Sequence, residues 1–151
     1  MRLYLVQHGQ AMSEQEDPER PLTEAGTAEV AAVADRALER GGVRASRILH
    51  SGKTRARQTA EAWAARLGAS VEPADGLAPN DDAALWAERL AAVTEDVMLV
   101  GHLPHLGRLS ALLITGRAEP AVVAFRPGCV VGLEVAEGRW VITLVLPPDA
   151  G

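Results

Sequence analysis

The sequence predicts a three-layer α/β/α sandwich whose central sheet is mostly parallel and has an antiparallel edge. First, short apolar runs alternate with segments of helical periodicity from residue 1 to about 116, a pattern typical of helices packed on both faces of a parallel sheet. Second, the remainder is rich in β-forming residues and contains a Glu137-Gly138 hairpin signal. Third, no repeat, linker or low-complexity tract interrupts the chain, so residues 1–151 are expected to form one domain.

The first half of the chain contains two predicted strand–helix units. Residues 3–6 (LYLV) form a strand candidate, and a polar loop follows as far as Pro21. The segment 22–42 is a predicted helix that ends at Gly41-Gly42, and its apolar face consists of Val30, Val33, Ala34, Ala37 and Leu38. Residues 47–49 (RIL) form the second strand candidate. The helix after it ends at Gly68 and has an apolar face formed by Ala56, Ala60, Trp63 and Leu67.

The second half adds one more unit of this kind and the β-rich end. A short extended piece begins at Val71, and Asp81 or Asp82 caps a helix that carries Leu85, Trp86 and Leu90. Residues 97–101 (VMLVG) are the strongest buried-strand run, and residues 103–116 form a helix with Pro104 near its first turn. The last strands are predicted at residues 121–125 (AVVAF), 129–135 (CVVGLEV) and 139–146 (RWVITLVL).

Composition and charge exclude several classes of function. Hydrophobic residues make up 48% of the chain, enough for one substantial core, and the net charge of -5 argues against a general nucleic-acid binder. Cys129 is the only cysteine, which excludes a disulfide framework, and its apolar neighbours predict a core position. The N-terminal apolar run is too short for a signal peptide, and no segment is long enough to span a membrane. We therefore expect a cytoplasmic protein with neither nucleic acid nor membrane as a partner.

Polar clusters follow three of the predicted strands. They are Gln7-His8-Gly9, His50-Ser51-Gly52 with Arg55 just beyond it, and Gly101-His102. Because ligands of open α/β sheets bind beyond the carboxyl ends of the strands, we expect these clusters to meet. A neutral imidazole is a nucleophile near neutral pH, an arginine at a helix N-terminus binds phosphate bidentately, and Gly9 would permit close backbone approach to a ligand. The clusters predict a phosphoryl pocket.

A zinc site is the alternative that the same histidines allow. His8, His102 and His105 could ligate the metal. Arginines beside the pocket would repel a cation, however, and no carboxylate ligand accompanies the histidines. We therefore expect a site that uses no metal.

Four segments, in this order, resemble the successive motifs of the histidine phosphatase superfamily, whose fold is the phosphoglycerate-mutase-like fold. They are LVQHGQA, PLTEAG, SGKTRARQTAE and LVGHLPHLG. The short chain, which has no large insertion, is most similar to the SixA-type phosphohistidine phosphatase branch. The resemblance extends from Met1 to about Gly116, and the C-terminal strands carry no motif.

The resemblance implies a phosphatase whose catalytic residues are His8, Arg55 and His102. His8 would accept the phosphoryl group, Arg55 would hold its oxygens, and His102 would donate a hydrogen bond as charge builds in the transition state. The substrate-binding pocket would be completed by Gln7, Gly9 and Arg20. The resemblance also implies that no cofactor is needed and that the partner is a phosphorylated protein or a small phosphorylated molecule.

The family's first motif begins Arg-His-Gly, whereas this chain has Gln7 in place of the arginine. In the family that arginine contacts the phosphate that the nucleophile attacks. A neutral amide donates a hydrogen bond worth about 0.5–1.5 kcal/mol, against about 1.5–3 kcal/mol for bonds to charged groups. Replacing the family's charged arginine with a neutral amide is therefore expected to lower the rate on the order of tenfold to a thousandfold.

A second departure concerns the leaving group. Larger relatives supply an acidic residue that protonates an alkoxide, but the stretch GLAPNDD and its neighbour offer only Asp75, Asp81 and Asp82, of which the last two are predicted helix caps. The leaving group of a phosphoramidate is an imidazole or amine, which can already be protonated when the N–P bond breaks and so needs less help from a general acid. This absence favours phosphohistidine over a sugar phosphate as the substrate.

Two other functions stay open at this point. A degenerate member weakened by Gln7 would bind phosphate or a phosphorylated protein without turnover, and a small-molecule phosphomonoesterase would use the same pocket. For a phosphoprotein partner, the basic stretch from Arg44 to Arg57 is the expected docking edge of this acidic protein. Arg57 and Gln58 are expected to support the fold.

Overall fold

The computed structural model describes residues 1–40 and 42–148, which form a six-stranded sheet covered by helices. The strands in chain order are β1 (Arg2–Gln7), β2 (Arg47–His50), β3 (Ser70–Pro73), β4 (Val97–Gly101), β5 (Val130–Ala136) and β6 (Arg139–Leu146). The helices are α1 (Glu24–Glu39), α2 (Thr54–Leu67), α3 (Ala83–Leu90) and α4 (His105–Thr115). Each of these helices connects two successive strands, as the alternating sequence pattern predicts.

The order of strands across the sheet is β3-β2-β4-β1-β5-β6. The four strands from β3 to β1 are parallel, whereas β5 pairs antiparallel with β1, and β6 antiparallel with β5. β1 is therefore central, and Leu5 lies between Leu99 of β4 and Val131 of β5. The predicted mostly parallel sheet with an antiparallel edge is confirmed.

Two apolar cores, one on each face of the sheet, make the fold three layers thick. Alternate residues of a strand point to opposite faces, so Val6 and Leu5 of β1 belong to different cores. The Val6 core includes Trp63 and the buried faces of α1 and α2. The Leu5 core includes Trp86 of α3 and Leu106 of α4. The predicted α/β/α sandwich is thus confirmed.

Short polar side chains and a glycine define where the helices begin and end. Asp82 is the cap of α3, because its side chain accepts a hydrogen bond from the N–H of Ala84 at 2.9 Å. Asp81, the other predicted cap, accepts from the N–H of Ala78 in the preceding turn. Gly68 ends α2 with a left-handed φ of 68°, as predicted.

Residues 121–125, predicted as a strand, are irregular in the structure. Pro120 and Pro127 flank the segment, and β1 already has β4 and β5 on its two sides. Val123 and Phe125 instead pack on the core that contains Leu5. The prediction was wrong because apolar β-forming residues can bury their side chains without pairing their backbone.

The faces of two helices were also predicted imperfectly. Leu38 of α1 and Leu85 of α3 are each 37% exposed although both fall at helical spacing. Ala37 and Trp86 are buried beside them, because the apolar stripe of a surface helix covers little more than a quarter of its circumference. α1 ends at Glu39, and the predicted stop at Gly41 lies outside the described residues.

Cys129 occupies the core position that the sequence predicts. It is 3% exposed, and burial raises the pKa of its thiol. Within the described residues, the helices are all too short or too polar to cross a bilayer.

Candidate active site

The carboxyl ends of β2, β4 and β1 lie side by side because these strands are parallel neighbours. Gln7 is the register partner of Gly101, and the backbone N–H of His8 donates to the carbonyl of Gly101 at 3.0 Å. The rings of His8 and His102 consequently lie against each other, with centroids 5.0 Å apart and planes tilted by 52°. The structure therefore brings together two of the predicted site residues.

His8 is held in one tautomer by its own loop. Its Nδ1 lies 2.7 Å from the carbonyl oxygen of Gly9, and a carbonyl can only accept, so the proton is on Nδ1 and the lone pair is on Nε2. Burial lowers the pKa of His8 to about 4, and the charges of Arg55 and Arg20 act in the same direction. His8 is thus a neutral imidazole at pH 7 with an unprotonated Nε2.

His102 is more deeply buried, at 2% exposed. Its Nε2 lies 2.6 Å from the hydroxyl of Ser51, and its Nδ1 is buried with no hydrogen-bond partner among the described residues. Burial lowers the pKa of His102 to about 3, and the neighbouring His8, Arg55, Lys53 and His105 act in the same direction. His102 is therefore also neutral at pH 7.

Two arginines face the histidine pair from different elements. Arg55 lies in the first turn of α2, and burial together with the nearby Arg20 lowers the pKa of its guanidinium. Arg20 adopts a left-handed φ of 48°, and its Nε donates to the carbonyl of Met12 at 3.0 Å. A non-glycine residue in this region carries backbone strain of order 1–3 kcal/mol. The loop therefore holds the Arg20 side chain in one place despite that strain.

A polar cleft of about 350 Å³ opens beside these arginines. Its walls include Arg20, Lys53 and Arg55 as well as two carboxylates, Glu14 and Glu19. Its volume is sufficient for a phosphate and part of the group that carries it. The two predicted arginines thus line one accessible cleft, and their charges act on His8, although neither predicted histidine is among the lining residues.

Gln7 is buried where β1 meets the histidine pair, at 7% exposed. Its backbone is fully used in pairing, because its N–H donates to Cys129 and its carbonyl accepts from Gly128. Its side-chain Oε1 is buried and has no hydrogen-bond partner among the described residues. The amide therefore retains unused hydrogen-bonding capacity beside the predicted pocket but brings no charge to it.

The surroundings of Gly9 show a reason for a glycine at this position that was not predicted. A Cβ at this position would lie 2.6 Å from Cγ2 of Val30 and 3.3 Å from the carbonyl oxygen of Gly26, so the glycine permits α1 to pack closely. Its N–H donates to the hydroxyl of Thr59 at 3.0 Å, and its carbonyl holds His8. The backbone of Gly9 is thus engaged with the protein, and the packing of α1 is a sufficient reason for the glycine, while close approach to a ligand stays a prediction.

His105 is buried, and two of the three predicted acidic residues, Asp81 and Asp82, have their carboxylates engaged in local structure. His105 is fully buried in α4, and burial lowers the pKa of its imidazole. In the described part of the chain, no three His, Cys, Asp or Glu side chains cluster as metal ligands. Asp82 and Asp81 hold the turn and the start of α3, and the carbonyl of Asp75 accepts hydrogen bonds from Trp86 and Arg89.

Two hydroxyl residues also belong to the site: Thr59, which was not predicted, and Ser51, which was predicted only as part of a polar cluster. Thr59 in α2 accepts from the N–H of Gly9 and donates to the carbonyl of Arg55, which links the two motifs that carry His8 and Arg55. Ser51 contacts His102. Both lie inside the segment SGKTRARQTAE, and Thr59, four residues after Arg55, falls on the same face of the helix. That spacing was the available signal.

The predicted docking edge is divided between the two ends of the sheet. Arg44 and Arg47 lie where β2 begins, and they pair with carboxylates: Arg44 with Asp96, and Arg47 with Glu72 and Glu95. The histidine pair lies where the parallel strands end. Strand direction therefore places Arg44 and Arg47 at the opposite ends of the strands from the histidine pair, so the predicted docking region does not form one surface beside the pocket. Arg57 pairs with Glu61, and Gln58 accepts from the N–H of Leu22, in supporting roles as expected.

The sequence profile of the histidine phosphatase superfamily (branch 1) matches residues 3–81, just over half of the chain. Those residues include His8, Arg20 and Arg55, and the remaining strands complete the sheet on which His102 lies. The chain therefore belongs to the histidine phosphatase superfamily, and within it to the SixA-type branch.

Particular relatives cover nearly the whole chain. The sequence is 33% identical over 127 residues to phosphohistidine phosphatase SixA of Escherichia coli (strain K12), covering 80% of this chain and 78% of that protein. It is 35% identical over 147 residues to an uncharacterized protein of Picosynechococcus sp. (strain ATCC 27264 / PCC 7002 / PR-6), covering 92% and 88%. The solved structure of the protein histidine phosphatase SixA complexed with tungstate matches with a TM-score of 0.85 at 29% identity, covering 98% of this chain and 97% of that chain. The similarity therefore includes the C-terminal strands that carry no motif.

Proposed function

We propose that this protein is a metal-independent phosphatase that transfers a phosphoryl group to His8 and then to water, with protein phosphohistidine as its substrate. The observation that carries the proposal is the state of His8. Its proton is held on Nδ1 by the carbonyl of Gly9, and its bare Nε2 belongs to an imidazole that is neutral at pH 7. A neutral imidazole beside two guanidinium groups suits nucleophilic attack on a phosphate.

The proposed reaction has two steps. In the first, the lone pair on Nε2 of His8 forms a bond to phosphorus as the bond between phosphorus and the leaving nitrogen breaks. If the other ring nitrogen of the substrate histidine already carries a proton, the ring leaves as neutral imidazole; if it does not, the departing nitrogen takes a proton from water. In the second, a water oxygen attacks the phosphorus of phospho-His8, the N–P bond breaks, and inorganic phosphate and neutral His8 are restored.

The remaining site residues act on the charge of the phosphoryl group. Arg55 and Arg20 offer positive charge from two sides of the cleft, which stabilises the equatorial oxygens of a phosphoryl group in transfer. Neutral His102 adds no second positive charge beside His8, and its proposed hydrogen bond to the phosphoryl group uses the Nε2 that contacts Ser51 in the structure. Gln7 provides a neutral amide in place of the family's arginine, which predicts slow catalysis by this pocket.

Two observations support phosphohistidine as the substrate class. Asp81 and Asp82, in the stretch where larger relatives supply the acid, are occupied in the turn before α3 and at its cap, so this stretch offers no evident general acid for an alkoxide. A nitrogen leaving group needs less help of that kind. The names of the matched proteins, phosphohistidine phosphatase SixA and protein histidine phosphatase SixA, agree with this choice.

A second candidate function is phosphate or phosphoprotein binding without useful turnover. The buried amide of Gln7 supports it, because one charged donor of the family's pocket is absent. Arg20 and Arg55 would still attract an anion. A small-molecule phosphomonoesterase would use the same residues and differ only in the leaving group.

The test measures hydrolysis of a phosphoramidate and of an aryl phosphate, with and without EDTA, by wild type and His8→Ala. Turnover of the phosphoramidate that survives EDTA and disappears in His8→Ala supports the phosphatase. Loss of turnover with EDTA would overturn the metal-free mechanism. A faster reaction with the aryl phosphate would favour the phosphomonoesterase.

A matched pair of arginine variants tests the pocket assignment in the same assay. Arg55→Ala is expected to lower kcat/KM by about a hundredfold or more, because a preorganised charged donor is lost. Arg57→Ala, on the same helix but paired with Glu61, is expected to stay within about threefold. Equal losses in the two variants would contradict the assignment of Arg55.

A further inference from the structure

Lys53 is the only lysine in a sequence that contains 15 basic residues. All the other basic residues are arginines. It lies in the motif segment SGKTRARQTAE, between Ser51 and Arg55, and no role for it follows from the family resemblance. Its position in the structure suggests one.

Three observations place Lys53 at the candidate active site. It lines the same cleft as Arg20 and Arg55. It is the residue immediately before α2, and its N–H donates to the hydroxyl of Ser51 at 3.3 Å, the same hydroxyl that contacts His102. Its charge is also close enough to act on the pKa of His102. The Lys53 side chain is exposed and can therefore move toward a ligand in the cleft.

The cations of the cleft form no salt bridge with a described residue, although two carboxylates also line the cleft. Arg20, Lys53 and Arg55 form no salt bridge with any described residue, although six other arginines do. The carboxylates of the cleft do not change this: Glu19 accepts a hydrogen bond from Thr54, and Glu14 acts on Arg55 without a salt bridge. Three cations and two carboxylates leave the cleft with an excess of positive charge, so an anion bound among the three cations reduces their mutual repulsion.

We propose that the ammonium group of Lys53 binds an oxygen of the substrate's phosphoryl group and supplies the positive charge that Gln7 does not. This inference rests on the proposed function, since it assigns a further binding residue to the same pocket. An ammonium on a flexible four-carbon chain can reach a phosphate oxygen from the edge of the cleft. It acts as a point charge and does not reproduce the bidentate geometry of an arginine.

A spectroscopic test follows from Lys53 being the only lysine. Reductive methylation with ¹³C-formaldehyde labels its amine and the N-terminal amine only, and it retains the positive charge. The protein is then titrated with tungstate, a tetrahedral oxyanion that stands in for phosphate. The Lys53 methyl signal is expected to shift with saturation, while the N-terminal signal stays fixed. A tungstate-binding protein whose Lys53 signal does not move would overturn the proposal.

A double-mutant cycle tests whether Lys53 supplies the positive charge that position 7 lacks. In the wild-type background, Lys53→Met is expected to weaken tungstate binding by about tenfold. In the Gln7→Arg background the same substitution is expected to cost less than about threefold, because the arginine now supplies the charge. Arg139→Met, which removes an exposed cation from β6, is the control and should leave binding unchanged. Equal effects of Lys53→Met in the two backgrounds would contradict the proposal.

The binding readout separates this proposal from the phosphatase proposal. If Lys53 responds to tungstate but His8-dependent hydrolysis is absent, the phosphatase proposal fails and the assignment of Lys53 holds. If hydrolysis depends on His8 but neither the Lys53 signal nor the Lys53→Met variant responds, the assignment of Lys53 fails alone. Lys53→Arg retains the charge, so it should bind tungstate within about threefold of wild type; a tenfold loss would overturn the charge-based explanation.

Discussion

At the scale of single residues, the carbonyl of Gly9 and the burial around His8 act together on one imidazole. The carbonyl selects the tautomer with a bare Nε2, and burial keeps the ring neutral. Burial also keeps His102 neutral beside it. Two neighbouring histidines in a field of arginines would repel each other if both were protonated, so neutrality is required for this geometry.

The lowered pKa values predict the pH dependence of the proposed reaction. His8 must be unprotonated to attack, so kcat/KM is expected to fall only as the pH drops toward about 4, well below the ordinary value of 6.5. The acidic limb of the kcat/KM profile reports the coupled titration of His8 and His102, not that of His8 alone. A bound phosphate dianion raises the pKa of both imidazoles because it favours their protonated forms. Since kcat reports the enzyme–substrate complex and kcat/KM the free enzyme, the acidic limb of kcat should lie at higher pH than that of kcat/KM. A kcat/KM limb near pH 6.5 would contradict the burial of the pair.

The same residues make folding depend on pH. Because the folded pKa of His8 and of His102 lies below the ordinary value, the unfolded chain binds more protons between about pH 3 and 6.5. The free energy of unfolding should therefore rise with pH through that window and level off above it. Urea unfolding from pH 4 to 7 measures this slope.

Gln7→Arg tests whether the neutral amide limits the site. Restoring the charged donor is expected to raise kcat/KM by about tenfold to a thousandfold. Gln10→Arg adds the same charge at an exposed position three residues later and is the control. Activity that appears only in Gln7→Arg would favour the binding function for the wild-type protein. An unchanged or lower rate in a folded Gln7→Arg variant would show that Gln7 does not limit catalysis.

The predictability of the site also differs from residue to residue. His8 and His102 could be expected to meet because both follow strands that read as parallel and buried. Arg20 could be expected near them only through the family resemblance. The position of its side chain depends on the left-handed backbone conformation of Arg20 itself, which lies in a loop. Lys53 was not predicted, because the direction of an exposed side chain next to a helix start is not encoded in periodicity.

At the scale of elements, α1 determines the position of the loop that follows His8. Gly26 in the first turn of α1 packs against the backbone of Gln10, and Val30 packs against Gly9. The N–H of Thr23 donates to the carbonyl of Gln10 at 2.9 Å. The helix and the loop are therefore fitted without space for an added methyl group.

Two helical glycines provide a matched test of this contact. A Cβ on Gly26 would overlap the carbonyl oxygen of Gln10, whereas a Cβ on Gly107 of α4 would meet its nearest atom, Cδ2 of Leu103, at 3.6 Å. Gly26→Ala is expected to lower the free energy of unfolding by about 1–3 kcal/mol, because backbone atoms must move. Gly107→Ala is expected to be neutral or to add about 0.5–1 kcal/mol. Denaturant unfolding of both variants decides the point, and a stabilised Gly26→Ala would contradict the packing.

The elements show where sequence patterns are sufficient. Residues 97–101 are apolar throughout and form the buried central strand β4, because a parallel strand has cover on both faces. Gly68 marks the end of α2 because its left-handed conformation suits glycine. Residues 121–125 have the composition of a strand and form none, since strand pairing depends on which neighbours are free in the assembled sheet. That information is not local.

At the scale of the whole molecule, strand direction separates two basic regions that are close in sequence. Arg44 and Arg47 lie at the edge where β2 begins and pair with acidic residues. Lys53 and Arg55 lie at the edge where β2 ends, at the cleft. β2 is short, but its length separates the ends of the strands at which these two basic regions lie.

Charge reversal at the far edge tests this separation. The double variant Arg44→Glu/Arg47→Glu is expected to leave the KM for a phosphohistidine protein within about twofold of wild type. It should reduce stability only slightly, because exposed ion pairs contribute about 0–1 kcal/mol each. A raised KM for the protein substrate with unchanged hydrolysis of a small phosphoramidate would instead assign docking to this edge.

The formation of phospho-His8 is the most direct test of the proposed function. The protein is mixed with a phosphoramidate, quenched in alkali to preserve N–P bonds, digested, and analysed by mass spectrometry. We predict one acid-labile phosphoryl group on His8 in wild type, present with or without EDTA, and its absence in His8→Ala. A phosphoryl group on His50, His102 or His105 instead, or full turnover in His8→Ala, would contradict the assignment of His8 as the nucleophile.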